Sequence, residues 1–188
     1  LSLVLRPRFQ PAEAPKMTLL AGVALAETIR PLVPSRVAIK WPNDVLAGGR
    51  KFAGILIEIG TEIDAIDYMV VGVGLNVNTP PGLFPAELRA RVTSIAAESG
   101  HPVSRTDVLA AFLGRFEGWY GRVEREGFGP VIRRWRELSD MAGRRVRVNS
   151  FSGSTEGVIE GIDDDGTLLL RTAAGGVERV IAGDVEYI

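Results

Sequence analysis

The sequence predicts an α+β fold in which a mixed sheet is backed by helices and followed by a small all-β barrel. Strand and helix patterns alternate over residues 1–140, as in an α/β-type sheet domain. Short β runs separated by tight turns then fill residues 141–188. Apolar residues make up 46% of the 188-residue chain, which is enough for a medium core and a small one. We therefore place a domain boundary at residue 140.

Four strands of the first domain are predicted over residues 1–5, 35–41, 52–59 and 68–73. Residues 35–41 alternate between apolar and polar side chains, whereas the two later runs are almost continuously apolar. We therefore expect 52–59 and 68–73 to be central strands that are buried on both faces of the sheet.

Four helices are predicted in the same domain, over residues 15–32, 85–98, 104–125 and 129–138. Pro15 suits the first turn of the first helix, because a proline lacks an N–H that would be unpaired there. Ser104 can cap the third helix, with Asp107 three residues later in the capping-box position. The aromatic stripe that follows at helical spacing is interpreted as core rather than as a ligand cage.

The second domain is predicted to be a barrel of short strands, four of which are visible over 145–149, 155–162, 167–171 and 177–181. The pairs Asp165-Gly166 and Gly175-Gly176 are typical of hairpin turns. Several short strands joined by tight turns are typical of a small closed sheet.

Composition excludes several kinds of site. No cysteine is present, so disulfides, thiolate nucleophiles and cysteine-based zinc sites are excluded, and the cytoplasm is the expected compartment. The one histidine, His101, lies in the loop S-G-H-P and is expected to be solvated. The net charge of −1 attracts neither nucleic acid nor an anionic membrane, and no apolar run could span a bilayer. The arginine groups at 133–136 and 144–147 are interpreted as solvated faces.

The first motif whose residues could take part in chemistry is K-W-P-N-D, residues 40–44. Pro42 cannot donate to a sheet ladder and therefore ends the strand. Asn43 and Asp44 follow at the strand's carboxyl end, where open sheets bind ligands. A simple Asx turn is the competing interpretation.

The second motif is R-K-F-A-G-I-L-I-E, residues 50–58. Lys51 lies at the lip of an apolar strand, from which its ammonium would either reach solvent or enter a pocket. Gly54 supplies no packing inside a strand, which indicates close approach of a backbone, a ligand or a neighbouring element.

The third motif is G-V-G-L-N-V-N, residues 72–78, in which two alternating glycines end a strand. It lacks the third glycine of the dinucleotide fingerprint, and no helix opens directly after it. Backbone contact with a ligand and a simple bulge are equally good interpretations of this segment alone.

Together the three motifs, in this order and spacing, resemble the biotin–protein ligase family. The resemblance covers essentially the whole chain, and it implies a class II synthetase-like catalytic domain followed by an SH3-like barrel. It also implies an ATP-dependent biotin–[acetyl-CoA-carboxylase] ligase. Such an enzyme joins biotin and ATP into biotinyl-5′-AMP and passes biotin to a lysine of a biotin carboxyl carrier protein. Lysines, backbone N–H groups and Mg²⁺ stabilise the phosphate charge in this chemistry, so no cysteine or histidine is required.

The resemblance assigns roles to individual residues. Lys51 matches the lysine that contacts the biotin carboxylate and the adenylate phosphate, and it is the catalytic candidate together with Asp44. Asp44 is also the candidate ligand of Mg²⁺ and a candidate to orient or activate the acceptor lysine. The biotin and adenylate set is Lys51, Gly54, Ile55, Lys40, Trp41 and Asn43. The ATP set is Asn43, Gly74, Leu75 and Asn76.

One feature of the family is missing from residues 1–188. Its glycine- and arginine-rich loop, of the G-R-G-R-x-G-R kind, lies upstream of the strand that matches Leu1–Leu5. We therefore expect the catalytic domain to be N-terminally incomplete and this chain alone not to be fully active. A related ligase for lipoate or another acyl acid, and an inactive fragment that binds carrier or nucleotide, are the alternatives. Members of the family pair through sheets, which leaves a homodimer open, and DNA binding is not expected of this chain.

Overall fold

The computed structural model describes residues 1–62, 65–151 and 153–188 and contains two five-stranded sheets. The first sheet is built from β1 (Ser2–Leu5), β2 (Val37–Lys40), β3 (Asp44–Ala47), β4 (Arg50–Glu62) and β5 (Ala65–Leu75). The helices are α1 (Lys16–Ile29), α2 (Ile95–Ser99), α3 (Arg105–Glu126) and α4 (Gly129–Leu138), with single 3₁₀ turns at Pro11–Glu13, Arg30–Leu32 and Pro81–Leu83. This arrangement confirms the predicted α+β class.

The strand order of the first sheet is β1-β5-β4-β3-β2, and every ladder in it is antiparallel. The reason is that β2 to β5 follow one another through short turns, which favour hairpins over parallel crossovers. Among the described residues, the mixed character of the sheet is limited to one parallel bridge, between Lys51 and Val92.

Helices cover one face of the sheet, and the prediction that 52–59 and 68–73 are buried on both faces is wrong. Helix α1 is buried almost throughout its length and packs on the sheet and against α3 and α4. Ile55 and its ladder partner Val73 point into this core. The next residue, Leu56, points the other way and is 61% exposed. The described part of the chain supplies no second layer of helices for that face.

The helix predicted over 85–98 is also wrong, since only Ile95–Ser99 is helical. The hydroxyl of Ser94 accepts the N–H of Ala97 and fixes the helix start at that point. Residues 86–91 form turns instead. Val92 then makes a bridge to Lys51, because the carbonyl of Arg91 and the N–H of Thr93 bond to the backbone of Lys51. The longer helices are confirmed, including the Ser104 cap on the Asp107 N–H of α3.

The second sheet follows as β6 (Arg145–Ser150), β7 (Gly153–Ile162), β8 (Leu168–Thr172), β9 (Val177–Val180) and β10 (Asp184–Tyr187). Its order is β10-β6-β7-β8-β9, again antiparallel throughout. Gly166 and Gly175 have φ values of 82° and 85°, as the predicted hairpin turns require. Its interior is apolar and is formed by Val146, Val148, Ile159, Leu168, Leu170 and Val185.

The two sheets meet at Trp41, which is only 3% exposed. Its indole N–H donates to the carbonyl of Gly166 at 3.0 Å, and its backbone N–H contacts the sulfur of Met141 at 3.0 Å. Lys16 adds an ion pair to Asp165 at 3.4 Å. The strand that carries K-W-P-N-D is therefore anchored to the small barrel. None of the helices in the described ranges combines the length and the apolar character that a membrane span requires.

Candidate functional site

The centre of the site is an ion pair between Lys51 and Asp44. Pro42 ends β2, Asp44 opens β3, and the Gly48-Gly49 turn returns the chain into β4, which begins one residue before Lys51. The Lys51 ammonium consequently lies 2.6 Å from Oδ1 of Asp44, with the two side chains 46% and 17% exposed. Within the described residues this buried Oδ1 atom has the charge contact but no hydrogen bond of good geometry. The pair thus places a charged donor and a poorly satisfied acceptor at the rim of the sheet.

Gly54 lies directly beneath this pair. A Cβ atom at this position would be 3.3 Å from Nζ of Lys51 and 3.7 Å from Oδ1 of Asp44. The close approach that the strand glycine indicated is therefore an approach by these two side chains. Gly54 is also the ladder partner of both Asp44 in β3 and Gly74 in β5.

Three glycines form a floor without side chains on the open face of the sheet. Gly54, Gly72 and Gly74 point to the same face, because the residues between them point into the core. They line a depression of about 350 Å³ together with Leu1, Asn43, Ile55, Leu56 and Val73. The side chain of Ile55 is buried in the core, so Ile55 lines the depression by its backbone. A flat ligand could lie on such a floor in contact with backbone atoms.

Two asparagines of the motifs, Asn43 and Asn76, hydrogen-bond to the backbone of neighbouring segments. The amide of Asn43 donates to the Ile55 carbonyl at 2.9 Å, and the Ile55 N–H donates back to the Asn43 carbonyl at 3.0 Å. The side-chain amide of Asn76 donates to the Thr93 carbonyl at 3.1 Å, and the backbone N–H of Asn76 donates to the Phe52 carbonyl at 3.0 Å. These bonds satisfy backbone groups where the strands end and fix the walls around Lys51. The Asx-turn interpretation of Asn43 does not describe its side chain, which bonds to β4.

A second cavity of about 560 Å³ adjoins the ion pair, between the sheet and the barrel. It is lined by Lys40, Asp44, Leu46, Gly49, Lys51, Leu88, Ala90, Arg91, Val92, Val185, Glu186 and Tyr187. Three of these residues are cations and two, Asp44 and Glu186, are carboxylates. The excess of positive charge attracts polyanions such as phosphates. Arg91 and Tyr187 were not among the sequence-predicted residues. Their sequence neighbourhoods carry no motif, and only the tertiary fold brings them here.

Most of the predicted residues converge and a few do not. Those that meet at the two cavities are Lys40, Asn43, Asp44, Lys51, Gly54, Ile55 and Gly74. The Trp41 side chain faces the barrel, and Leu75 packs on the helical side near Val108 and Phe112. The amide of Asn76 is occupied by Thr93. The assignments of Trp41, Leu75 and Asn76 to biotin and ATP stay predictions. Their side chains contact the barrel, the helices and Thr93 and line neither of the two cavities.

Glu98 is a further residue that sequence reasoning missed. Its carboxylate is 3% exposed and accepts hydrogen bonds from the hydroxyls of Ser35 and Thr93 and from Arg50, the last at 2.5 Å. Arg50 precedes Lys51 in β4, and Thr93 donates its N–H to the Lys51 carbonyl at 2.9 Å. Glu98 therefore clamps the segments on either side of Lys51.

We expect Glu98→Gln to destabilise the protein at neutral pH by about 2 kcal/mol, because buried hydroxyls and a guanidinium lose a charged acceptor. Burial alone would raise the pKa of Glu98, but the bonds from Ser35 and Thr93 and the charge of Arg50 lower it below its ordinary value of 4.5. A depressed carboxyl pKa stabilises the fold above that ordinary value, and this contribution is lost as the pH falls through the folded-state pKa. Urea unfolding at several pH values should therefore show a shallower acid loss for Glu98→Gln than for the wild type.

The matched control is Glu126→Gln. Glu126 is an exposed partner of Arg122 on α3, and such surface pairs contribute little. An equal loss of unfolding free energy at acid pH in the wild type and in Glu98→Gln would contradict the stabilising role of the Glu98 carboxylate.

Two family models match this chain. Residues 1–137 match the model of the biotin/lipoate A/B protein ligase family, and residues 142–187 match the biotin protein ligase C terminal domain. The chain is 36% identical over 186 residues to the bifunctional ligase/repressor BirA of Bacillus subtilis, covering 99% of this chain and 57% of that protein. It is 33% identical over 177 residues to the biotin–[acetyl-CoA-carboxylase] ligase of Paracoccus denitrificans, covering 93% of this chain and 74% of that protein.

The fold has a matching solved counterpart in a biotin protein ligase from Aquifex aeolicus, determined in complex with biotin and ATP. The two structures superpose with a TM-score of 0.84 at 24% identity, over 100% of this chain and 76% of the other. At that identity the likeness establishes the architecture. The two family matches and the Paracoccus relative go further, and the chain therefore belongs to the biotin/lipoate A/B protein ligase family, with a biotin protein ligase C terminal domain as its small barrel.

Proposed function

We propose that the protein is a biotin–protein ligase that activates biotin with ATP to biotinyl-5′-AMP and transfers biotin to a lysine of a biotin carboxyl carrier protein. The observation that carries the proposal is the Lys51–Asp44 pair at 2.6 Å, set at the rim of a glycine floor. Family membership and the ligase names of the Bacillus and Paracoccus relatives support the same activity. The chain spans 57% of the length of the Bacillus relative.

In the first step a carboxylate oxygen of biotin attacks the α-phosphorus of ATP. A C–O–P bond forms, the bond to the bridging oxygen breaks, and pyrophosphate leaves. Negative charge grows on the phosphate oxygens, and the Lys51 ammonium is placed to neutralise it from the rim of the floor. Lys40 and Arg91 line the adjoining cavity, where they would hold the departing pyrophosphate.

The floor suits the biotin end of the adenylate. Gly54 and Gly74 leave room for a flat ring system against the strands, and the backbone of Ile55 lines the same depression. Asn43 fixes that wall through its two bonds to Ile55. Trp41, Leu75 and Asn76 would then serve the biotin and ATP ends by holding the strands in register.

In the second step the neutral amine of the acceptor lysine attacks the acyl carbon of the adenylate. The new amide C–N bond forms, the acyl C–O bond breaks, the nitrogen releases a proton to solvent, and AMP leaves. The arriving ammonium must first lose a proton. We assign Asp44 to orient that ammonium and accept the proton, because its Oδ1 atom is buried beside the reacting end and poorly satisfied.

Mg²⁺ would enter as the complex with ATP. No group of three His, Cys, Asp or Glu side chains among the described residues forms a dedicated metal site. Mg²⁺ is commonly held by one or two carboxylates together with substrate phosphates, and Asp44 fits the role of a single protein ligand. The ion would supply charge neutralisation on the phosphates.

Biotin is favoured over lipoate because residues 142–187 match a domain named for biotin protein ligases. The test supplies the full-length protein with ATP and either biotin or lipoate and measures pyrophosphate release. We expect release with biotin and none with lipoate, and the reverse result would replace the proposed substrate. Calorimetric titration of residues 1–188 with biotin, alone and with ATP, tests the inactive-fragment alternative, which absence of heat in both would favour.

The remaining expectations concern the assembly and the compartment. A homodimer stays a prediction, for which sedimentation of the full-length protein is the direct measurement. We expect the cytoplasm as compartment, because the proposed reaction consumes ATP and a carrier protein and the sequence has no cysteine to pair in an oxidising compartment.

A further inference from the structure

An aromatic ring from the barrel contacts a cation of the first domain beside the Lys51–Asp44 pair. Tyr187 lies on the last strand, β10, and its ring centroid is 5.5 Å from the ammonium of Lys40. The guanidinium of Arg144 lies 4.9 Å from the same centroid. Tyr187 and Lys40 line the cavity that also contains Lys51 and Asp44.

The Tyr187 ring is the main contact of the Lys40 ammonium among the described residues. It ends β2 opposite Asp44, whose carboxylate is engaged by Lys51. Over the described ranges of the chain, no carboxylate lies within ion-pair distance of Lys40. A lysine has a flexible four-carbon stem that loses conformational entropy when it is fixed. The face of the Tyr187 ring therefore provides the contact that restricts where this ammonium points.

The ring itself is fixed from the barrel side. Tyr187 pairs with Val146 in the β10–β6 ladder, and Arg144 is tied to the Asp140 carboxylate at 2.9 Å. Burial raises the pKa of the Tyr187 phenol, Arg144 opposes this and Asp140 adds to it, with a net increase. The ring is thus neutral at physiological pH, and its electron-rich face is available to a cation.

We propose that Tyr187 is a positioning residue that aims Lys40 at the pyrophosphate end of the site, so that the small barrel sets the affinity for ATP. The inference rests on the proposed function. It adds a residue from outside the three sequence motifs and gives the barrel a defined part in the first step. Biotin binding, which uses the glycine floor on the other side of Lys51, is independent of this contact.

The test measures biotin-dependent ATP–pyrophosphate exchange in the full-length protein. We expect Tyr187→Leu to raise the KM for ATP about tenfold, the effect of losing a partly desolvated cation–π contact, and to leave the KM for biotin unchanged. Tyr187→Phe keeps the ring and should retain the wild-type KM for ATP. Tyr120→Leu is the matched control, because Tyr120 is a partly buried tyrosine on α3 that lines neither cavity.

A double variant separates positioning from general damage. In a Lys40→Met background, Tyr187→Leu should add almost nothing, because the group that it positions is already gone. Full additivity, an unchanged KM for ATP in Tyr187→Leu, or an equal rise for biotin would overturn the inference. Calorimetric binding of ATP to the same variants reads the contact without turnover. An inactive wild type that binds ATP more tightly than Tyr187→Leu would sink the proposed reaction and retain the role of Tyr187.

Discussion

Lys51→Met is expected to lower biotin-dependent pyrophosphate release by the full-length protein about a thousandfold, because one preorganised charge-stabilising group is lost. Methionine keeps most of the length and the apolar stem of lysine, so the change removes the ammonium and little packing. The ammonium lies 2.6 Å from Asp44 on a side chain that is 46% exposed, so it can turn to a substrate. Single-turnover formation of biotinyl-5′-AMP is the measurement.

Two companion variants make this result specific. Arg122→Met removes a positive charge from the exposed face of α3 and should leave the rate unchanged. Lys51→Arg keeps the charge but spreads it over a planar fork whose donors point in other directions, and it should recover only part of the activity. If Lys51→Met turned over at the wild-type rate, Lys51 would be excluded as the catalytic cation.

Local sequence was sufficient to predict which residues lie at the centre of the site. Pro42 ends a strand whatever surrounds it, so Asn43 and Asp44 had to lie at a strand end. The Gly48-Gly49 turn is short, which returns β4 beside β3 and brings Lys51 close to Asp44. Glycines at every second position had to share a face of the sheet, which predicts the floor once the strand is recognised.

Contacts between residues distant in sequence could not be predicted from local sequence. Residues 85–98 contain good helix formers, yet the Arg91 carbonyl and the Thr93 N–H bond to the backbone of Lys51. Lys51 lies outside the segment, so these bonds could not be predicted from the segment itself. Glu98 appeared to be an ordinary helix residue until the fold placed Ser35 and Arg50 beside it. Apolar runs predict a strand but not how many faces are covered, because coverage depends on which helices pack on the sheet.

Gly54→Ala tests whether the floor and the ion pair work as one unit. The added Cβ would lie 3.3 Å from Nζ and 3.4 Å from Cε of Lys51, the mobile end of a flexible side chain. The lysine can swing aside at small cost, so we expect thermal stability to change little. The ammonium then leaves its place near Asp44, and displacements of about 1 Å at a reacting centre cost about a hundredfold in rate. Paired measurements of unfolding and of adenylate formation should therefore diverge.

The strongest form of this test combines the two substitutions. If Gly54 acts by placing the Lys51 ammonium, Gly54→Ala should add almost nothing to Lys51→Met, because both remove the same charge from the same place. If it acts instead by opening the floor to biotin, the double variant should be weaker than either single variant, and the KM for biotin should rise. Gly118→Ala is the control for a glycine substitution as such. Gly118 lies on α3 with no atom near its Cβ position, and alanine there should stabilise the helix without affecting the rate. A thermal stability loss in Gly54→Ala comparable to its loss of activity would assign Gly54 to packing and leave Lys51 to be judged on its own variants.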